Sequence, residues 1–534
     1  MCFKSENTRN ARQCWVFLIF GEKKNIQQGA FRVKPRDHGI LTRGKRNLER
    51  RLARRGPEIH GGPVLRGGNY RYEMAGRTRA LAHGGIGAIH ALVRGLGLER
   101  RINQRVRLLK IRNPYHESDH VLNLAYNVLC GGTCIEDIER LRNEEPYLDA
   151  LGARAIPDPT TAGDFLRRFT EAALLELMEV FNDVRERVWA SQPRAFFRRA
   201  IVDIDATIAP TDGECKQGMD LSYKGVWGYA PLIVSLANTR EPLYLVNRPG
   251  NTPSCKDAAV WIDRAIARLE PLFEKILLRG DGDYSQSEHL DRWDGRGVEF
   301  IFGFDAIPKL VARAQALPEG AWRPLERRPR YEVKTRRRWR PQNVKEAIVR
   351  ARGYKNIRLA SEQVAEFEYR PGKCEKNYRL VALRKNLSVE RGEAVLFDHV
   401  RYFFYITNVR APEAREIVFS ANQRCDQENL IAQLKSGLQA LRMPAGDLLA
   451  NGAYLVIAAL AWSLKAWFAL MIPAAGARRR TLRMEFKKFY HRFMLLPCQV
   501  VRSSRRVALR LLACGGQLRT FFATLAAIAR LRPT

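Results

Sequence analysis

Residues 200–208 read AIVDIDATI, and the two acids inside this otherwise apolar run decide how the chain is read. A short run of apolar and β-branched residues bounded by polar positions is the pattern of a buried strand. Alternate residues of a strand share a face, so Asp203 and Asp205 point the same way. Either acid, once buried, needs a cation or a hydrogen-bond network, because burying it uncompensated is costly. Downstream, PLIVSLAN (231–238) and PLYLVNR (242–248) predict two more strands. AAVWIDRAIARLEPLFEKI (258–276) predicts an amphipathic helix, and KILLRGD (275–281) and VEFIFGFD (298–305) predict two further strands. Strands in series followed by helix–strand alternation make a mixed α/β sheet.

Further acids stand where such a sheet would place chemistry. Asp281 and Asp283 lie where the strand ILLRGD runs into a glycine turn, and open α/β sheets bind ligands outside the C-terminal ends of their strands. Glu428 lies on a predicted helix, RCDQENLIAQLKSGL (424–438), with Arg424 four residues before it and Lys435 seven after. Those spacings put all three on one helical face. Carboxylates and nucleic-acid phosphates repel, so acids that act on phosphates need divalent metal between the two. A pair of Mg²⁺ ions, ~3.5–4 Å apart, serves in-line phosphoryl displacement, and hard oxygen ligands suit Mg²⁺. Arg424 and Lys435 would hold phosphate oxygens nearby.

Composition says why phosphates are expected. The chain has 534 residues, with 91 Lys and Arg against 56 Asp and Glu, a formal charge of +35 and a pI near 10.2. Such a charge calls for a polyanionic partner, usually nucleic acid, with an anionic membrane surface as the alternative. A hydrophobic content of 46% excludes wholesale disorder. Ten scattered cysteines without a CxxC pair support neither a zinc site nor a disulfide framework and predict reduced, mostly buried thiols. His116 and His120 lack a third ligand in view, so a surface or capping role is expected. WVFLIF (15–20) is too short for a signal segment. The apolar run from Ala453 to Leu464 ends at Lys465 and predicts a buried helix, so no membrane span is expected. No GxxxxGK[ST] follows a strand, so no nucleotide cofactor is expected. These features predict a cytoplasmic, nucleoid-associated protein.

The chain divides by pattern. Residues 1–65 form a basic tail expected to be disordered, and residues 1–60 hold 15 Lys and Arg against 5 acids. Residues 66–195 are helical and suggest a DNA-binding domain, with one helix over Phe165 to Val184 capped by Thr160 or Thr161. Residues 196–306 form the first part of the α/β core, 307–412 a separate β-rich insertion, 413–475 the second part of the core and 476–534 a basic C-terminal region. The insertion carries the densest basic cluster, from Arg327 to Arg340. There Arg336, Arg337, Arg338 and Arg340 flank Trp339, a candidate for stacking on an unpaired base while the arginines hold phosphate.

The segments IVDIDATIAPTDG, ILLRGDGDYSQSEHLDRWDGRGVEFIFGFD and NQRCDQENLIAQLK resemble the three catalytic blocks of DDE transposases from bacterial insertion sequences. The nearest pattern is the subgroup with an inserted β domain and a YREK motif. The likeness runs from roughly residue 80 to 515. It implies an RNase H-like core interrupted by the insertion, an N-terminal DNA-binding region, and Mg²⁺-dependent hydrolysis and strand transfer. It places the catalytic and metal-binding acids at Asp205, with Thr207 two residues on, at Asp281 and at Glu428, with Asp203 and Asp283 as rivals. Arg424 and Lys435 match the motif's arginine and lysine, whereas its tyrosine position holds Ala421. Thr407-Asn408 stands near the end of the insertion, as in the subgroup. The resemblance implies two Mg²⁺ ions, with Mn²⁺ able to substitute, double-stranded DNA at transposon ends and target as partner, and a homodimer in the active complex. A non-catalytic DNA-binding descendant and a nuclease of the same fold remain open alternatives.

Overall fold

The computed structural model of the chain describes residues 35–54, 76, 78–327, 356–390, 399–503, 506–512 and 515–531. It contains two compact units. One comprises Met1–Gln192, Gln433–Ala445 and Leu449–Thr534, and the other Pro193–Ala432 with Gly446–Leu448.

The first unit is mainly helical. Within the tail expected to be disordered, Pro35–Arg54 is an α-helix. The single helix expected over 165–184 is two. Asp158 caps Pro159–Leu166 by accepting the Thr161 N–H at 2.9 Å, and Thr170 caps Glu171–Trp189 by accepting the Ala173 N–H at 3.2 Å. Side-chain acceptors at Asp158 and Thr170 therefore start two helices, and Thr160 and Thr161 cap neither. His116 precedes the helix Glu117–Leu129 and donates its backbone N–H to Asp119, while the His120 ring stacks on Phe165 at 4.4 Å. Leu448–Leu470 is long and apolar enough to cross a membrane, yet Ala450 through Leu470 are buried within the protein. The Lys465 ammonium lies over the Trp462 ring and donates to the Leu482 carbonyl at 2.9 Å, which is how a buried cation is accommodated in this core.

The second unit is built on a nine-stranded mixed sheet. Its strands are β1 (Ala200–Ala206), β2 (Leu232–Leu236), β3 (Glu241–Val246), β4 (Ile276–Gly280), β5 (Glu299–Phe304), β6 (Arg323–Pro324), β7 (Asn356–Tyr369), β8 (Tyr378–Glu390) and β9 (His399–Thr407). In space the order is β6-β7-β8-β9-β5-β4-β1-β2-β3. β1, β2 and β3 form an antiparallel meander, and β4 and β5 run parallel to β1. The strands from 356 to 407 do not form a sheet of their own, as the sequence suggests. β9 pairs antiparallel with β5, Ile406 opposite Phe302, so they extend the same sheet. Thr407 and Asn408 make that join. The Thr407 hydroxyl donates to the Phe300 carbonyl at 2.6 Å, and Asn408 accepts the Phe300 N–H and donates to the Val298 carbonyl, each at 2.9 Å.

Four helices of the unit bear on the site: α1 (Ala258–Leu269), α2 (Ser287–Gly295), α3 (Ala414–Asn422) and α4 (Cys425–Ala432). The face of the sheet that presents Leu277, Ile301, Val381 and Leu383 packs against Ile417 and Val418 of α3 in one core cluster. By strand alternation this is also the face of Asp203 and Asp205 on β1 and Arg279 on β4. On α1, Trp261 stands 5.5 Å from Tyr244 of β3, and on α2, Trp293 stands 5.8 Å from Phe302 of β5.

Candidate active site

The register of β1 against β4 organises the site. Asp203 lies directly opposite Arg279; Asp205 follows two residues on along β1, and Asp281 stands one residue past the end of the neighbouring parallel strand β4. The lower row is closed. Asp203 and Arg279 are 1% and 2% exposed, and the guanidinium grips the carboxylate through Nε at 2.7 Å and Nη2 at 2.8 Å. Burial pushes the Asp203 carboxyl up and the bidentate guanidinium pulls it back. Arg279 also donates through Nη1 to the Ser420 carbonyl at 2.9 Å, which anchors the C-terminal turn of α3. Across the sheet Asp203 faces Ser235 of β2, and the Ser235 hydroxyl bonds to Gln427 of α4. Gln427 donates in turn to the Ile233 carbonyl at 3.1 Å. Asp426 accepts from Arg240 at 2.8 Å. The buried row of Asp203, Arg279, Ser235 and Gln427 docks α3 and α4 on the sheet and uses up Asp203.

The upper row is different. The Asp205 side chain keeps 16% of its exposure and pairs with Arg424 Nη1 at 2.9 Å. Burial pushes its carboxyl up to about 6, with Arg424 pulling it down and the charge of Asp281 pushing it further up. Burial likewise raises Asp281, against the pull of Arg424 and with the push of Asp283 and Asp305. The Asp281 side chain caps the short turn Gly282–Tyr284 by accepting the Asp283 N–H at 3.2 Å, and Asp283 itself is exposed. Here the chain passes close to β5. A Cβ on Gly303 would stand 2.9 Å from the Gly282 nitrogen, and one on Gly282 would stand 2.8 Å from Asp305. Those glycines are what allow the end of β4 to lie beside β5.

Arg424 occupies the turn between α3 and α4 rather than the helix itself. Burial works against its charge, yet Asp205, Asp281, Glu428 and Asp203 together raise its pKa. Glu428 stands off, with 60% of its side chain exposed and its carboxylate 3.9 Å from Arg424. The common helical face expected for Arg424, Glu428 and Lys435 is not formed. The α-helix ends at Ala432 and continues as a π-turn over Gln433–Gly437, so a spacing of seven no longer carries α-helical phase. Ala421 packs against the α3 core cluster. Of the basic cluster, Arg327 bonds to Glu362; Arg336, Arg337, Arg338, Trp339 and Arg340 lie outside the described residues.

Two of the three candidate acids therefore fit a divalent cation. Asp205 and Asp281 are oxygen ligands at neighbouring strand ends, both pushed toward protonation by burial, and Arg424 acts on both of them. Among the described residues no three His, Cys, Asp or Glu side chains converge closely enough to hold a metal ion, and it is Glu428 that is not drawn in. Sequence reasoning missed Asp305, Gly303 and Gln427. Of these only Asp305, the last residue of VEFIFGFD, carries a signal, since it too is an acid at a strand end.

The family model described as transposase DDE domain group 1 matches residues 67–533, and the chain belongs to that family of DNA transposition enzymes. No curated protein matches the chain. Among solved structures it is similar to a piggyBac transposase synaptic complex with hairpin DNA, determined by electron cryomicroscopy. That likeness has 9% identity and a TM-score of 0.36, over 85% of this chain and 86% of the other.

Proposed function

We propose that the chain cuts DNA at the terminal repeats of an insertion sequence and joins the freed end to target DNA, using Asp205, Asp281 and Glu428. The observation that carries this reading is the split between two acids of one strand. Asp203 is consumed by Arg279 in a closed ion pair, whereas Asp205 is left beside Asp281 with its carboxyl held near 6. Desolvated acids with perturbed protonation at strand ends are candidates for chemistry rather than for stability. In this reading β3-β2-β1-β4-β5 is an RNase H-like core and residues 307–412 are its insertion.

Bound divalent metal, Mg²⁺ or Mn²⁺, would supply positive charge at the attacking and leaving oxygens of the phosphodiester. Asp205 and Asp281 would hold it from the sheet, and Glu428 would reach it from α4, whose seat is fixed by Gln427. Arg424, released from Asp205, would turn to the phosphate oxygens, and Lys435 is proposed as a further DNA-phosphate contact. The basic ends of the chain and the 327–340 cluster would hold duplex DNA at low sequence cost. Two ends must be joined, so the working complex would be at least a homodimer, acting on the nucleoid in the cytoplasm.

The test is cleavage of terminal-repeat DNA by purified protein in Mg²⁺. Loss of nicking in Asp205→Asn and Asp281→Asn is expected, and retained cleavage in either variant sinks the assignment. The exposure of Glu428 favours one second reading, a DNA-binding descendant without catalysis. Metal-independent binding with no nicked product would establish it. Strand transfer from a precut end separates a transposase from a nuclease.

A further inference from the structure

Four residues after Asp205 the chain enters a small antiparallel sheet that the proposed chemistry does not use. Its strands are Ala209–Pro210, Asp220–Leu221 and Trp227–Tyr229, with the last in the middle. The root is tightly built. Tyr229 is fully buried, lies opposite Ala209, and donates its hydroxyl to the Gln217 carbonyl at 3.1 Å. A Cβ on Gly228 would stand 2.2 Å from the Ala209 carbonyl, and one on Gly250 2.3 Å from the Asp220 and Gly228 carbonyls, so three backbones meet there without side chains between them. The turn is closed by Ser222, whose backbone exchanges 2.9 Å bonds with Val226 and Gly225 and whose hydroxyl accepts the Val226 N–H at 3.2 Å.

The outer end is the reverse of the root. Tyr223 is 82% exposed, Trp227 54%, Leu221 45% and Val226 37%. Leu221 and Trp227 are directly paired across the strands, so they share one face. Lys224 holds its ammonium 5.3 Å from the centre of the Tyr223 ring. A rigid root that presents two aromatic rings and a cation to solvent is not explained by packing.

We infer that this hairpin is a stacking platform for an unpaired DNA strand next to the cleavage site, with Trp227 and Tyr223 taking base faces and Lys224 a phosphate. The inference rests on the DNA-cleaving reading above. Three observations select this occupant. The root of the sheet begins within ~14 Å of chain from Asp205, at ~3.5 Å per residue, which ties the hairpin's base to the strand that carries that carboxylate. Bases in a duplex have their faces covered, so exposed rings find stacking partners only on unpaired bases, as single-strand-binding surfaces do. The apolar patch is also small for a protein partner. Two aromatics at 150–250 Å² each, partly exposed, give roughly a third of the ~800 Å² per partner of a stable interface.

The test uses the full chain in chelator, so that binding is read without cleavage. The probes are a fluorescent 20-nucleotide oligo-dT and a blunt 20-base-pair duplex. Trp227→Ala and Tyr223→Ala should each weaken oligo-dT binding about 5- to 150-fold, the range for one lost base stack, and leave the duplex within about twofold. Lys224→Gln should lower the salt dependence of oligo-dT binding by about 0.7 in log–log slope. Equal losses on both probes, or none on oligo-dT, overturn the platform. So does loss of a dimer in sedimentation of the variants, which would make the hairpin a self-association face. Wild-type protein that binds neither probe overturns the DNA reading and the platform with it. Wild-type protein that binds both while the variants match it overturns the platform alone.

Discussion

Asp203 and Asp205 sit two residues apart on one strand and one face, and the structure predicts that neutralising them has opposite effects on stability. Asp203→Asn leaves Arg279 buried at 2% exposure without its counter-charge and with one of its two bonds to residue 203 gone. Breaking a buried ion pair by removing one partner costs about 3–5 kcal/mol. Asp205→Asn removes a charge that the fold resists. A carboxyl carried from 3.8 to about 6 weakens the folded state by up to ~3 kcal/mol above that pH, at ~1.36 kcal/mol per pH unit. The sign follows from linkage. The folded protein binds the proton more tightly than the unfolded chain, so the penalty is absent below about pH 4, grows as pH rises toward 6, and is complete above. Asp205→Asn should therefore be at least as stable as wild type at pH 7.5 in chelator, and its melting temperature should fall less between pH 4 and 6. Calorimetric melts of the three proteins across that pH range decide it. An Asp203→Asn protein as stable as wild type, or an Asp205→Asn protein lowered as far as Asp203→Asn, would refute the division of labour between the two acids.

Gln427→Leu removes the tie of α4 to Ser235 and Ile233; it should cost about 1–3 kcal/mol for the groups left unpaired and lower nicking by more than the stability loss accounts for. Glu428→Gln, at an exposed position, should leave the melting temperature unchanged and cut metal-dependent nicking on the order of 10²–10³-fold, the scale of one lost charge-stabilising group. Gly303→Ala drives a methyl to within 2.9 Å of the Gly282 nitrogen; destabilisation of about 1–3 kcal/mol and a displaced Asp281 should appear together in melts and cleavage rates. Ala421→Tyr, which completes the YREK pattern that the sequence resembles, should cost a similar ~1–3 kcal/mol by overpacking the α3 cluster, measured by the same melts.

The five strands that carry or flank the acids were legible because each is a short apolar run between polar ends, and short runs of that kind have few other solutions. What the sequence could not show is set by partners far along the chain. The choice between Asp203 and Asp205 turns on Arg279, 76 positions after the first, and no local pattern links them. The joining of 356–407 to the core sheet depends on which edge β9 finds, and an edge is a property of the assembled sheet. The π-turn after Ala432 broke the spacing argument for Lys435, since a count of residues assumes one helical period throughout. The break between Pro159–Leu166 and Glu171–Trp189 was missed, and one helix was expected over 165–184, because the cap Thr170 in mid-pattern looks like one more polar residue.

The charge of the chain has a consequence at the site. With +35 overall, a carboxylate pair would be expected to attract several basic side chains and be neutralised by them. The polar row beneath prevents this. Arg279 is held by Asp203 and by the Ser420 carbonyl, and Arg240 is held by Asp426, so two nearby guanidiniums already have acids or carbonyls of their own. Arg424 alone among these three is paired with the upper row, and it stands in a turn rather than in a helix or strand. The acids of the upper row thus keep an unsatisfied demand for positive charge inside a basic protein. Such a demand can be met by a divalent ion without altering the fold, because the groups that hold α3 and α4 in place lie one row below and take no part in it.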